Sequence, residues 1–151
     1  MGVEVKAREI AIQQGLPRTV KVGAHLLRFA FVSERRNRQM VGLNGLCDFD
    51  AGTIYINRDH AKKHSPDRVL ATILHEIAHA INYVYGVRDN SDEEGFVSGF
   101  SLGFVTFLVD NPEFLLWLNR VVADILSHHH AEKTNEAPDH PRRAGKAGGQ
   151  R

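Results

Sequence analysis

The apolar positions of this chain follow one rhythm up to residue 57 and another beyond residue 65. In "TVKVGAHLLRFAFV", Leu27, Phe29 and Phe31 alternate with other residues at the period of two that a half-buried strand requires. Gly23 divides the stretch into two β runs around a turn. "GLCDFDAGTIYIN" reads as a second hairpin. Asp50, Ala51 and Gly52 supply its turn chemistry; Ile54 and Ile56 share one strand face, and Tyr55 and Asn57 the other. Between the hairpins, "SERRNRQM" reads as a charged, solvated loop. Its Arg35, Arg36 and Arg38 offer an anion site only as the much rarer alternative. Ahead of the strands, residues 4–14 suggest a short helix, with Val3, Ala7 and Ile10 on one side.

Beyond residue 65 the spacing becomes helical and the ends are well punctuated. Ser65 is a good N-cap, Pro66 suits the first helical position, and Asp67 favours the positive end of the helix dipole. Gly86 is a good stop. A second helix starts near "NSDEE" and runs to about Val109. Asn111 then caps a third, with Pro112 at its first position. From His128 the chain turns polar and rich in Pro and Gly, which predicts a disordered tail over residues 129–151 behind one domain over 1–128. Strands first and long helices afterwards imply an α+β fold with a small, mainly antiparallel sheet.

Composition narrows the function classes. A net charge of +1 and no basic stripe on any helix argue against nucleic acid as partner. The longest uncharged run, residues 95–109, is too short to span a bilayer. A single cysteine, Cys47, and no visible secretory signal point to a reducing, cytoplasmic setting.

The candidate chemistry lies in "LATILHEIAHAINYVYG". His75 and His79 are four apart, so a helix brings their imidazoles to one point, and neutral imidazole is a good zinc ligand. Glu76 projects roughly 100° around the helix from His75. It stands beside such a metal rather than on it, where it can take a proton from a metal-activated water; this is the physical content of H-E-x-x-H. Leu70, Ile73, Leu74, Ile77, Ile81 and Val84 form the core stripe on the opposite side. Two core histidines therefore fit the pattern poorly, while two exposed histidines on a polar face remain the plain alternative.

A catalytic zinc needs three protein ligands and an open position, and His₂Glu is a common set. Glu93 and Glu94 open the next helix, which a short connection folds back antiparallel. Ser91 with Glu94 also matches a capping box, the structural alternative. By helical phase, Glu93 lies nearer the Phe96, Phe100 and Phe107 stripe; Glu94 lies on its flank. Gly95, Gly99 and Gly103 permit close helix approach.

"TILHEIAHAI", then "DEEGFVSGFSLGFVTFLVDNPEFL", preceded by the "CDFDAGTIYIN" hairpin, resembles the short, phage-type members of the ImmA/IrrE-like zinc metallopeptidases over about residues 20–118. The resemblance implies a minimal zincin-like fold of the gluzincin type. It also implies a zinc ion held by His75, His79 and a glutamate of the following helix; matching "EEGFV" favours Glu94, with Glu93 as alternate. The implied activity is peptide-bond hydrolysis with Glu76 as general base, on a peptide or protein substrate. Tyr83, one turn past His79, is a candidate oxyanion donor, although a packing tyrosine is the commoner reading. The strand over residues 53–57 is a candidate to pair with an extended substrate, with Tyr55 or Asn57 facing the cleft. Cys47 reads as a buried thiol.

The competing class is a non-catalytic, zinc-binding interaction protein acting on a host or regulatory partner. Phe114, Leu115, Leu116, Trp117 and Leu118 are consecutive apolar residues, and a homo-oligomer or partner contact through Phe114, Leu115, Trp117 and Leu118 is its expected surface. His60 and His64 would be its spare ligands, though both read as members of an exposed loop.

Overall fold

The computed structural model describes residues 14–85 and 93–135. Strand β1 (Thr19–Val22) and strand β2 (His25–Val32) form the expected antiparallel hairpin. The charged segment after β2 is not wholly solvated. A short 3₁₀ turn over Arg38–Met40, capped by the Asn37 side chain, buries Met40 completely. Strand β3 (Gly45–Asp48) and strand β4 (Thr53–Asn57) form the second antiparallel hairpin. The sheet order is β1-β2-β4-β3, and β2 pairs with β4 in parallel, with Phe29 opposite Ile54 and Phe31 opposite Ile56. The segment between β2 and β3 carries the chain to the far edge, so β4 returns beside β2 in the same direction. The sheet is therefore mixed, with a parallel central ladder.

Helix α1 (Arg58–Lys63) follows β4 directly, where a loop was expected. Asn57 creates it: its side-chain oxygen accepts from the N–H groups of Asp59 and His60. Helix α2 (Pro66–Tyr85) buries Leu70, Ile73, Ile77 and Ile81 against the sheet, with Leu74 and Val84 partly covered. Helix α3 (Glu93–Asp110) meets α2 near Gly103. A Cβ there would lie 2.6 Å from Ile81 Cγ2 and 2.8 Å from the Tyr85 ring, so only glycine allows this approach. Gly95, by contrast, is exposed.

Helix α4 (Pro112–Asn135) completes the core with Phe114, Trp117 and Val121. Phe114 touches Phe29, Phe107 and Trp117. Phe114 and Trp117 are thus core residues, not a docking surface; of the apolar run, Leu115 and Leu116 face solvent. Burying each large side chain of this kind stabilises the fold by roughly 1.5–3 kcal/mol. Asn111 does not spend its side chain on α4. Its Oδ1 accepts from Lys21 N–H and its Nδ2 donates to the carbonyls of Lys21 and Phe107, which ties the α3–α4 corner to the edge of β1. α4 continues through His128 to Asn135, past the expected domain end. The helix expected over residues 4–14 lies, up to residue 13, outside the described residues, as do the stop at Gly86 and the tail from residue 136; residue 14 is in a turn. Among the described residues, no helix is long and apolar enough to cross a membrane.

Candidate metal centre

α2 lies across the sheet with one flank on β3, and that flank carries the H-E-x-x-H residues. His75 and His79 are exposed, and their Nε2 atoms stand 3.1 Å apart. Their rings meet edge to face, with centroids 4.6 Å apart. Both open onto a cleft of about 430 Å³ walled by Leu43, Leu46, Cys47, Phe49 and Tyr83. The opposite face of α2 is in the core, so the histidines keep two aligned nitrogens clear of it.

Glu76 is set differently. It is only 5% exposed and lies at the base of the same cleft. Its carboxylate rests against β3, near enough to the Cys47 backbone N–H for that group to favour the charged form. Gly45 makes room: a Cβ at that position would sit 2.6 Å from Glu76 Oε1 and 2.7 Å from its Cγ. Burial pushes the Glu76 carboxyl above the ordinary glutamate range, while His75, His79 and the Cys47 N–H pull against that. Burial, and then the charges of Glu76 and Asp48, push the Cys47 thiol up to about 11. At neutral pH Cys47 is a protonated thiol, which agrees with its reading as inert.

The donor chemistry fits zinc as far as it is described. Two imidazole nitrogens share one outlet, with a carboxylate beside them. Among the described residues, no third His, Cys, Asp or Glu joins them. Glu93 and Glu94 begin α3, but their side chains lie outside the described residues, so the expected third ligand is untested.

Tyr83 lines the cleft and is 66% exposed, with its ring stacked on Phe49 at 4.0 Å. Tyr55 and Asn57 do not line it. β4 is an inner strand, paired on both sides, so it has no free edge for a substrate. Asn57 is buried, capping α1 and donating to Leu43 O and Glu34. The strand at the sheet edge beside the site is β3. His60 and His64 belong to α1 and its C-cap rather than to a loop, and neither lines the cleft. His60 Nε2 is 3.2 Å from the Thr72 hydroxyl.

Sequence reasoning missed Gly45, the Cys47 N–H and Phe49 as parts of the site. Gly45 had a readable signal: a glycine opening a strand often marks a close approach by another group.

A mixed sheet followed by helices, with H-E-x-x-H on the first long helix beside an edge strand, defines a minimal zincin-like α+β fold. The SprT-like family model matches residues 14–98, more than half the chain. The chain belongs to the SprT-like family, which is zincin-like and metallopeptidase-related. No curated protein and no solved structure matches it.

Proposed function

We propose that this protein is a zinc-dependent metallopeptidase. The observation that carries the reading is the pairing of two exposed imidazole nitrogens with a buried carboxylate in one cleft. His75 and His79 would hold the metal, with Glu94, or Glu93, as third donor. Zinc, when bound, supplies Lewis acidity and makes water a nucleophile near neutral pH. The remaining work belongs to the chain's own residues. Glu76 takes a proton from water at the base of the cleft and returns it to the leaving amine. Its raised proton affinity suits that exchange, because burial keeps the carboxyl closer to neutral pH than an exposed glutamate. The edge of β3 offers backbone groups to an extended peptide, a role moved here from β4. Leu43, Leu46 and Phe49 give the cleft an apolar wall for substrate side chains. Tyr83 stands at the rim as a donor for the developing oxyanion.

The narrower likeness to ImmA/IrrE-like peptidases rests on "HEIAH" and "DEEGFV" and belongs to this reading, as does a cytoplasmic setting for a chain with one cysteine. The test is Glu76→Gln in the zinc-loaded protein, assayed on a peptide library. Zinc content is expected to stay at the wild-type level while hydrolysis falls by about 10²–10⁴-fold. Unchanged turnover would refute the general-base role.

One observation favours a second reading, a non-catalytic zinc-binding interaction protein. Leu102, Val105 and Val109 on the outer face of α3 are each more than half exposed. In that case the metal carries a fourth protein donor, and no peptide in the library is cleaved by wild type.

A further inference from the structure

Metal binding by a histidine constrains both of its ring nitrogens. When Nε2 binds the metal, Nδ1 carries the proton and needs an acceptor. The Nε2 atoms of His75 and His79 stand 3.1 Å apart, close to the spacing of two imidazole ligands on one tetrahedral zinc with Zn–N of about 2.0–2.1 Å. Loading the site therefore puts an Nδ1–H on each imidazole, His79 included.

An unmatched acceptor stands one turn away. Among the described residues, Asn82 Oδ1 is shielded from solvent and has no hydrogen-bond partner. Buried side-chain oxygens are nearly always paired, so an orphan of this kind calls for a specific explanation. His75, His79 and Asn82 follow the i, i+4, i+7 spacing that keeps residues on one helix face. Side chains on a helix lean toward its N-terminus, so Asn82 lies over the turn that carries His79. The core stripe of Ile73, Ile77 and Ile81 is on the other side of α2.

We propose that Asn82 is a positioning residue for His79. Its side-chain carbonyl takes the Nδ1–H of His79 once Nε2 faces the metal, fixing the tautomer and the ring plane. The Asn82 oxygen, which has no partner among the described residues, is the acceptor for that proton. This rests on the metallopeptidase reading of His75 and His79, and it adds a residue that the H-E-x-x-H motif does not contain.

The proposal separates metal affinity from folding. Asn82→Leu is close in shape and removes the orphan acceptor, so the metal-free protein should melt at or above the wild-type temperature. Its zinc Kd, measured by chelator competition on the full chain, should rise about 10–100-fold. Asn82→Asp keeps an acceptor and should hold Kd near wild type. Long-range ¹H–¹⁵N spectra of the zinc-loaded wild type should show His79 as the Nδ1–H tautomer, with that proton exchanging faster in Asn82→Leu. An unchanged Kd in Asn82→Leu, with zinc bound by wild type, overturns the proposal and leaves the metal centre standing. A lowered melting temperature in metal-free Asn82→Leu assigns Asn82 to folding and also overturns it. No zinc uptake by wild type removes the metal centre itself, and this inference with it.

Discussion

Glu76 is a charged group placed where a charge is expensive, and its neighbours show how that is managed. A carboxylate at 5% exposure needs hydrogen bonds to replace the water it has lost. β3 supplies the Cys47 N–H, and it can come that close because residue 45 has no side chain. The prediction at this scale is Gly45→Ala. The new methyl would stand within 2.9 Å of three Glu76 atoms, so either the carboxylate or the strand must move. Overpacking of this kind costs about 1–3 kcal/mol. The urea midpoint should fall accordingly, and turnover should fall with it, while zinc content should hold because the three atoms nearest the new methyl all belong to Glu76 and none to a histidine. Wild-type stability together with wild-type turnover would show that the contact constrains nothing.

Among the elements, α2 was the most legible in the sequence. Its start signals, its stripe and its histidine pair are all local, and local signals survive into the fold. The sheet order was not legible. Which strand lies beside β2 depends on where residues 33–44 lead the chain, and no alternation pattern encodes that. The same blindness hid the base of the site, because Gly45 and Cys47 approach Glu76 from a strand some thirty residues earlier. The run from Phe114 to Leu118 was misread because a string of apolar letters carries no phase; winding sends Phe114 and Trp117 inward and Leu116 outward. α1 was missed because six residues are too few to show a period, although Asn57 was a cap in plain sight. That small helix carries its own prediction. His60 is buried and bonded to Thr72 of α2, and burial, followed by the charges of His64 and Arg68, lowers its pKa below the usual 6.5. A lowered histidine favours the neutral form in the folded state. Its contribution is therefore complete above pH 6.5 and is lost as the pH falls from there through the folded-state value. The urea midpoint of wild type should drop more between pH 7.5 and about pH 5 than that of His60→Gln. Parallel curves for the two proteins would mean that His60 is not the group that feels the acid.

At the scale of the whole molecule, the proposed third ligand would make the α2–α3 pair a metal-tethered helix hairpin. α3 presses on α2 at Gly103, beside Ile81 and Tyr85, while Gly95 and Ser98 near its start are exposed. A carboxylate from the first turn of α3 would add a second tether between the two helices, passing through the metal. Zinc should then stabilise the fold, not merely occupy it. At a free concentration 100 times Kd, linkage gives about 2.7 kcal/mol. For a domain of this size that is a rise in Tm on the order of 10 °C, reversed by a chelator. Removing one donor weakens Kd and with it the rise. Glu94→Ala should lose most of the zinc-dependent increase in Tm and most of the bound zinc, and Glu93→Ala should keep both; the opposite outcome would assign the third position to Glu93. Amide exchange over residues 95–100 should slow on zinc addition in whichever variant retains the metal. If both variants hold zinc and melt like wild type, neither glutamate is a ligand. The histidine pair would then be completed from elsewhere in the chain or from a partner, and the interaction-protein reading would gain the weight that catalysis loses.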